Sequence, residues 1–282
     1  MSRIYEAFRQ GRPEEDDSSP AKILTARFDG LLWDLEALQR VEPVLALDPP
    51  LRVLISANNL VAEQFRILRT RLECIRERRS MKSLLVTSST AQEGKSFVAF
   101  NLAISLACRG RRKVLLVEGD LRRRSQSACM GLSGLPGFTE WRRSGAALSK
   151  FVYLVNGLDI FFLPAGHQIA QPVETLAARS TGDVLGEVSR VFDWVLVDSA
   201  PLVPLADASV LSRWCDTGLV VVRRDKTTRH GLLQALECID PSKLVGFVLN
   251  DFPARYEYDY GSAAPAAGAA VVAPAGTLPK AA

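Results

Sequence analysis

Short apolar runs alternate with helical patterns through most of the chain. The apolar runs are SLLVTS (83–88), KVLLVEGD (113–120), LDIFFLPA (158–165), DWVLVDS (193–199), GLVVVR (218–223) and KLVGFVLN (243–250). Because these runs lack polar alternation, they are typical of strands that are buried on both faces. Helical patterns lie between them, near residues 96–109, 174–191, 205–213 and 229–238. This repetition predicts an α/β fold with a doubly wound, mostly parallel sheet flanked by helices.

The two ends of the chain have different patterns. Residues 62–78 predict a helix with one apolar stripe, formed by Phe65, Leu68, Leu72 and Ile75. Residues 1–10 predict a short amphipathic helix, and the polar residues 11–20 predict a linker. After Tyr260 the chain is rich in Ala, Gly and Pro, which predicts a flexible tail.

Composition narrows the function classes. The 282 residues have a net charge of +4 and no long run of Lys and Arg, so the sequence does not predict a nucleic-acid partner. The five Cys include no C-x-x-C pair, and with only two His they do not predict a structural metal site. Scattered Cys indicate a reducing cytoplasm. Since no apolar run approaches the roughly 20 residues that cross a bilayer, we expect any membrane role to come through a partner.

The first apolar run leads directly into SSTAQEGKS, which has the features of a phosphate-binding loop. Gly94 lets the backbone approach phosphate oxygens, Lys95 bridges the terminal phosphates, and Ser96 can bind Mg²⁺. The full pattern G-x-x-x-x-G-K-[ST] requires a glycine at position 89, where this chain has Ser89. Taken alone, the motif is therefore also compatible with a chance Gly-Lys-Ser before a helix.

Acidic residues end two further apolar runs. Asp198 ends VLVD, where a Walker B carboxylate would hold Mg²⁺, and Glu118 and Asp120 end VLLVEGD. Ligands bind at the carboxyl ends of the strands in open parallel sheets. A single acid at such a position is explained equally well by ordinary solvation of a strand end. Several of them beside a lysine loop predict a nucleotide site.

Three tyrosines alternate with acids in RYEYDYG, residues 255–261. Such alternation is compatible with a strand edge or with phenols held in water. Pro253 interrupts the segment, and Glu257 and Asp259 favour solvent. The sequence therefore favours an exposed set of phenols.

Together these motifs resemble those of the bacterial tyrosine kinases of the capsule and exopolysaccharide type, the CpsD/CapB-like kinases. The resemblance runs from residue 1 to about 260. It includes MSRIYEAF at the start, the E-x-x-R-x-x-R motif of Glu63, Arg66 and Arg69, the Walker-type motifs TSSTAQEGKS, VEGDLRR and VLVDSAP, and the tyrosine cluster.

The resemblance implies a P-loop fold of the MinD/ParA type and a role for each matching residue. The catalytic residues would be Lys95, Glu118, Asp120 and Asp198, and the ligands of Mg²⁺ would be Ser96, Glu118 and Asp198. The ATP-binding residues would be Ser89, Gln92, Glu93, Gly94, Lys95, Ser96, Phe97 and Asn250, the last at the adenine. Tyr256, Tyr258 and Tyr260 would be phosphorylated by a neighbouring subunit.

The same resemblance implies an assembly and a location. Glu63, Arg66 and Arg69 would belong to the contact between subunits of a ring-like homo-oligomer, although a solvated, salt-bridged face explains their spacing as well. A membrane protein of the chain-length-determinant type would activate the kinase, which would be cytoplasmic and peripheral to the inner membrane. The implied segments are 1–20 (amphipathic segment and linker), 21–80 (extension with oligomerisation helix), 81–252 (kinase domain) and 253–282 (tyrosine tail).

Two departures from the family pattern keep alternatives open. Glu118 stands where Asp is usual, and Ala91-Gln92 replaces Pro-Gly, so we expect Gln92 and Glu93 to adopt backbone angles that glycine accepts more easily. These departures motivate a second hypothesis, a nucleotide-binding scaffold of the polysaccharide machinery with weakened catalysis. A third is a positioning ATPase of the MinD/ParA class, whose additional loop lysine this chain lacks.

Overall fold

The structure is a computed structural model that describes residues 33–44, 60–107, 111–252 and 269–274. From Asp34 onward, these residues belong to one compact unit. The predicted helix at residues 1–10, the linker at 11–20 and the tyrosines of residues 255–261 lie outside the described residues.

One sheet organises this part of the chain. Its strands are β1 (Arg40–Val41), β2 (Ser83–Ser88), β3 (Val114–Glu118), β4 (Tyr153–Val155), β5 (Ile160–Leu163), β6 (Trp194–Asp198), β7 (Thr217–Arg223), β8 (Leu244–Phe252) and β9 (Ala269–Pro274). Their spatial order is β1-β4-β5-β3-β6-β2-β7-β8-β9. The strands from β5 to β8 in this order pair in parallel, whereas β4 with β5 and β8 with β9 are antiparallel. The predicted mostly parallel sheet is confirmed.

Helices cover both faces of the sheet. They are α1 (Leu60–Arg78), α2 (Lys95–Ala107), α3 (Ser125–Cys129), α4 (Phe138–Ser144), α5 (Pro172–Ala177), α6 (Arg179–Val191), α7 (Asp207–Trp214) and α8 (Arg229–Leu236). The single helix predicted at 174–191 is wrong, because Ala178 adopts an extended conformation (φ −61°, ψ 139°) and separates α5 from α6. None of the helices among the described residues is long and apolar enough to cross a membrane.

The core explains why the apolar runs could be recognised. Every residue of β2, β3 and β6 is buried. Leu116 of β3 packs in the cluster that contains α1 and α2, while its neighbour Val117 lines a small cavity with residues of α6 and α7. Successive side chains of a strand point to opposite faces. A strand with helices on both sides therefore needs apolar residues at consecutive positions.

Two glycines of α6 provide a matched test of this packing. A Cβ at Gly182 would lie 2.4 Å from Cε3 of Trp214, whereas a Cβ at Gly186 has no atom within 4 Å. The Trp214 ring is held by its Nε1, which donates to the carbonyl of Leu176 at 3.2 Å. We expect Gly182→Ala to lower the free energy of unfolding by about 1–3 kcal/mol. Gly186→Ala should raise it by up to about 1 kcal/mol, because alanine loses less backbone entropy.

Urea unfolding of the two single variants measures this difference. Equal stability of Gly182→Ala and Gly186→Ala would contradict the packing of α6 against α7.

The expectation of a flexible tail after Tyr260 is wrong for residues 269–274. This segment forms β9, which pairs antiparallel with β8, and Val272 lies opposite Val248 in the register. Two consecutive valines, Val271 and Val272, give the segment strand propensity, and β8 offers the edge with which it pairs. The tyrosine segment is therefore followed by a strand of the same sheet.

Candidate active site

The sheet brings the three predicted motifs to one edge. Val86 of β2 is the register partner of Asp198 of β6, and Glu118 of β3 is the partner of the same Asp198. Because these strands are parallel, the loops that follow them leave the sheet side by side. The predicted phosphate-binding loop after β2 therefore lies beside the end of β6 that carries Asp198, and the end of β3 that carries Glu118 is the next one along the sheet.

Glu93 stabilises the loop between β2 and α2 through hydrogen bonds to its side chain. Its buried carboxylate accepts hydrogen bonds from the backbone N–H of Thr90 (3.1 Å) and from the hydroxyl groups of Thr90 and Thr227. Gln92 has a φ of +64°, which confirms the expected backbone angle, whereas Glu93 does not have a positive φ. The side chain of Glu93 thus shapes the loop instead of facing a ligand.

Asn250 of β8 binds the backbone of the same loop. Its Nδ2 donates to the carbonyl of Glu93 at 3.0 Å. A Cβ at Gly94, where φ is +93°, would lie 2.1 Å from the same nitrogen. Position 94 therefore requires glycine both for its backbone angle and for the approach of Asn250. The predicted contact of Asn250 with adenine stays a prediction.

Lys95, the first residue of α2, points at the second acidic motif. Its Nζ lies 3.2 Å from Oδ2 of Asp120 and 3.5 Å from Oγ of Ser96. The other oxygen of Asp120 accepts hydrogen bonds from the backbone N–H groups of Arg122 (3.3 Å) and Arg123 (3.0 Å). The turn after β3 thus fixes the buried Asp120 carboxylate opposite the lysine.

Asp198 is fully buried at the end of β6, and its two carboxylate oxygens have different surroundings. Its Oδ2 accepts a hydrogen bond from Nε2 of Gln126 at 2.8 Å. Its Oδ1 is buried and has no hydrogen-bond partner among the described residues. Burial raises the pKa of Asp198 to about 6, against the opposing effects of the Lys95 charge and the Gln126 hydrogen bond.

Glu118 uses both of its oxygens within the protein. Oε1 accepts from the backbone N–H of Ser127 at 2.9 Å, and Oε2 accepts from the Ser127 hydroxyl and from the backbone N–H of Ala165 at 3.1 Å. Burial raises the pKa of this carboxyl, and these hydrogen bonds oppose the effect. The glutamate therefore connects β3 to α3 and to the loop after β5.

Sequence reasoning missed three residues that support the site, namely Gln126, Ser127 and Asp207. Asp207 is fully buried at the start of α7 and accepts hydrogen bonds from Nε (2.9 Å) and Nη2 (3.2 Å) of Arg122. This bond raises the pKa of Arg122. The signal in the sequence was an acid inside the apolar segment LADASVL, since a buried acid requires a partner.

The predicted oligomerisation residues differ in their contacts: two pair with each other on the surface of α1, and the third binds α2. Glu63 and Arg66 form an ion pair of 2.6 Å on the surface of α1. Arg69 instead donates from Nη1 to the carbonyl of Ser105 in α2, at 2.9 Å. Phe65 also contacts Phe97, the residue after Ser96, with an edge-to-face ring distance of 5.8 Å. The helix that carries the motif therefore packs directly on the helix that begins at Lys95.

The burial of Asp198 predicts a pH dependence of stability. The pKa of Asp198 is about 6 in the folded protein and 3.8 when unperturbed. Because the folded state binds the proton more tightly, this contribution to stability is complete below about pH 4 and is lost as the pH rises through 6. The expected loss is about 3 kcal/mol.

Urea unfolding between pH 4 and pH 7.5, in buffer with EDTA and no nucleotide, measures this loss. The difference in unfolding free energy between wild type and Asp198→Asn should change by about 2–3 kcal/mol over that range. Parallel pH profiles for the two proteins would contradict the assignment.

Comparison with known proteins places this site in a family. No protein-family model matches the chain. The tyrosine-protein kinase YwqD of Bacillus subtilis is 30% identical over 205 residues, which is 72% of this chain and 86% of that protein. The chain belongs to the bacterial tyrosine-kinase family. Another member, the tyrosine-protein kinase CpsD of Streptococcus agalactiae, is 27% identical over 191 residues, 67% of this chain and 81% of that protein.

Solved structures of this family confirm the fold. The kinase domain of the Escherichia coli tyrosine kinase ETK is 25% identical, with a TM-score of 0.68 over 77% of this chain and 85% of that one. The cell division ATPase MinD of Pyrococcus furiosus shares the fold alone, at 22% identity and a TM-score of 0.51 over 62% of this chain and 74% of that one. The expected P-loop fold and the enzyme class, protein-tyrosine kinase, are confirmed.

The side chains at this edge fit a magnesium ion. The Ser96 hydroxyl and the unpartnered Oδ1 of Asp198 are oxygen donors of the kind that Mg²⁺ prefers, and Mg²⁺ is usually bound by one or two carboxylates together with substrate phosphates. No group of three or more His, Cys, Asp or Glu in the described ranges could hold a metal ion by itself. Two oxygen donors of this kind suit a metal ion that is also bound by substrate phosphates.

Proposed function

We propose that the chain is a tyrosine autokinase that uses MgATP to phosphorylate Tyr256, Tyr258 and Tyr260 of a neighbouring subunit. One observation carries the proposal: Lys95, Asp120 and Asp198 converge at the end of the sheet, and Oδ1 of Asp198 is buried without a partner. An unsatisfied buried carboxylate oxygen costs free energy in a protein that has no ligand for it. A metal ion bound with nucleotide supplies that ligand.

Each residue has a separate task in this proposal. The N–H groups at the start of α2 and the ammonium group of Lys95 bind the ATP phosphates. When bound, Mg²⁺ neutralises charge on the phosphates as transfer proceeds. Ser96 and Asp198 supply oxygens to the metal. Asp120, whose Oδ2 is 3.2 Å from Lys95, orients the attacking phenol and accepts its proton once the lysine turns to the phosphates.

The remaining predicted ATP-binding residues contribute to ATP binding by shaping the loop between β2 and α2. Gly94 and Gln92 give the loop its turn, with φ angles of +93° and +64°. Glu93 and Asn250 hold the turn from its two sides. Ser89 and Phe97 flank it, and Phe97 connects it to α1.

We further propose the assembly and location that the family resemblance implies. The chain forms a ring-like homo-oligomer through α1, on whose surface the side chains of Glu63 and Arg66 are exposed as an ion pair. A membrane activator of the chain-length-determinant type brings this cytoplasmic ring to the inner membrane. There, phosphorylation of the tyrosine cluster regulates capsule or exopolysaccharide polymerisation and export.

A mixing experiment tests transfer between subunits. One chain has all three cluster tyrosines replaced by phenylalanine and an intact site. The other is Lys95→Met with an intact cluster. Incubated together with MgATP and the cytoplasmic tip of the activator, the pair should give phosphotyrosine only on the Lys95→Met chain, as mapped by mass spectrometry. The kinase proposal fails if wild type, treated in the same way, stays unmodified at all three positions.

A second candidate is a nucleotide-binding scaffold with weak transfer. The observation that favours it is Glu118, whose two oxygens are both engaged by Ser127 and Ala165. A carboxylate so engaged is a poor metal ligand, so the predicted metal role of Glu118 becomes an indirect one in our proposal. Binding of MgATP by wild type without any phosphotyrosine on the cluster would favour the scaffold.

A further inference from the structure

A single amide connects the two residues that supply oxygens to the metal. Nε2 of Gln126 donates to the backbone carbonyl of Ser96 at 2.9 Å and to Oδ2 of Asp198 at 2.8 Å. Gln126 belongs to the five-residue helix α3 and is 1% exposed. Both hydrogens of its NH₂ group are therefore used at the same place, out of contact with solvent.

The chemistry of the partners fixes the orientation of this amide. A carbonyl oxygen and a carboxylate oxygen accept hydrogen bonds and do not donate them. The NH₂ end of Gln126 must therefore face them, and the reversed amide would place oxygen against oxygen. A glutamate at this position would place a second carboxylate against Asp198 and would leave the Ser96 carbonyl without its donor. Of the polar side chains, an amide fits because it is a neutral double donor.

The same bond decides which oxygen of Asp198 faces the metal. With Oδ2 bound to Gln126, the carboxylate cannot rotate freely, and Oδ1 is the oxygen left without a partner among the described residues. Since Gln126 also holds the backbone of Ser96, it fixes the separation between the Ser96 hydroxyl and that oxygen. Partners of metal-binding carboxylates act in this way in other metal sites.

We propose that Gln126 is a positioning residue for the metal site of this kinase, presenting Oδ1 of Asp198 and the hydroxyl of Ser96 to the Mg²⁺ that accompanies ATP. The proposal rests on the MgATP function proposed above. Gln126 contacts neither nucleotide nor metal, and it acts through the two residues that do.

Metal affinity, measured with Mn²⁺ and ADP, tests the proposal without relying on turnover. Gln126→Met removes both donors and keeps the length of the side chain. We expect the Mn²⁺ affinity of the protein–ADP complex, followed by electron paramagnetic resonance of free Mn²⁺, to fall about 10- to 100-fold. The affinity for ADP in EDTA should change less than about threefold, because Gln126 binds the carbonyl of Ser96, and helix carbonyls point away from the N-terminus at which phosphates bind.

Gln234→Met is the matched control, since Gln234 is exposed on α8. It should leave both affinities unchanged. Gln126→Asn, which keeps the amide but is shorter by one methylene, is measured alongside. It should weaken Mn²⁺ binding in the same direction, and it replaces Gln126→Met if that variant does not fold.

The outcomes separate this proposal from the function on which it rests. If wild type binds Mn²⁺ with ADP and both Gln126 variants bind it equally well, Gln126 does not position the site and only this inference is overturned. If wild type itself binds no Mn²⁺ with ADP, the MgATP function fails. A loss of ADP affinity in EDTA as large as the loss of Mn²⁺ affinity would indicate a general structural role and would also overturn the inference.

Discussion

Lys95→Met is expected to reduce phosphorylation of the tyrosine cluster about 100- to 1,000-fold. The magnitude is that of removing one group that stabilises charge in the transition state. Methionine keeps the apolar part of the lysine side chain. It removes the ammonium group, which lies 3.2 Å from Oδ2 of Asp120. Removing one member of a buried ion pair also leaves the other charge uncompensated, so stability should fall as well.

Two controls separate the loss of chemistry from the loss of stability. Lys150→Met makes the same substitution at an exposed lysine and should retain full activity. The double variant Lys95→Met/Asp120→Asn removes the uncompensated acid, so it should recover stability but not transfer. Phosphopeptide mapping and thermal unfolding measure the two effects, and near-normal phosphorylation in folded Lys95→Met would exclude the proposed site.

Asp198→Asn is expected to have an effect of similar size on transfer, about 100- to 1,000-fold, by a different route. The substitution replaces the buried carboxylate whose Oδ1 we assign to the metal with a neutral amide. The affinity for Mn²⁺ should therefore fall together with transfer, whereas Lys95→Met should weaken nucleotide binding even in EDTA.

The matched control for this substitution is Asp183→Asn, at an exposed position of α6. It should change neither Mn²⁺ affinity nor transfer. If folded Asp198→Asn binds Mn²⁺ with ADP as tightly as wild type, the metal is bound elsewhere.

The sequence predicts the centre of the sheet well and its edges poorly, for a physical reason. Strands β2, β3 and β6 have helices on both faces, so consecutive apolar residues mark them clearly. Strand β1 has two residues and β4 has three, too few for any pattern. Strand β9 lies in an Ala-rich and Pro-rich segment, and it exists because the edge of β8 is available.

The same distinction applies to the site. Lys95, Asp120 and Asp198 were predictable because each lies at the end of a recognisable buried strand or in the segment that follows one. Gln126 was not, because α3 reads SQSAC, has no amphipathic repeat, and contributes through tertiary contacts with residues 30 and 72 positions away. The function of Glu118 was also hidden, since its longer side chain is explained only by the position of Ser127 and Ala165.

The strand β9 gives the tyrosine segment two fixed ends and so limits its reach. Residues 253–268 connect Phe252 of β8 to Ala269 of β9, which are partners in the register. At about 3.5 Å per residue, Tyr256 extends at most about 14 Å from the end of β8, and Tyr260 about 28 Å. In the phosphorylation between subunits that we propose, a neighbouring active site would have to lie within these radii while β9 stays paired. The spacing of subunits in the proposed ring would then select which tyrosine is phosphorylated, and Tyr260, with the longest reach of the three, would tolerate the widest gap.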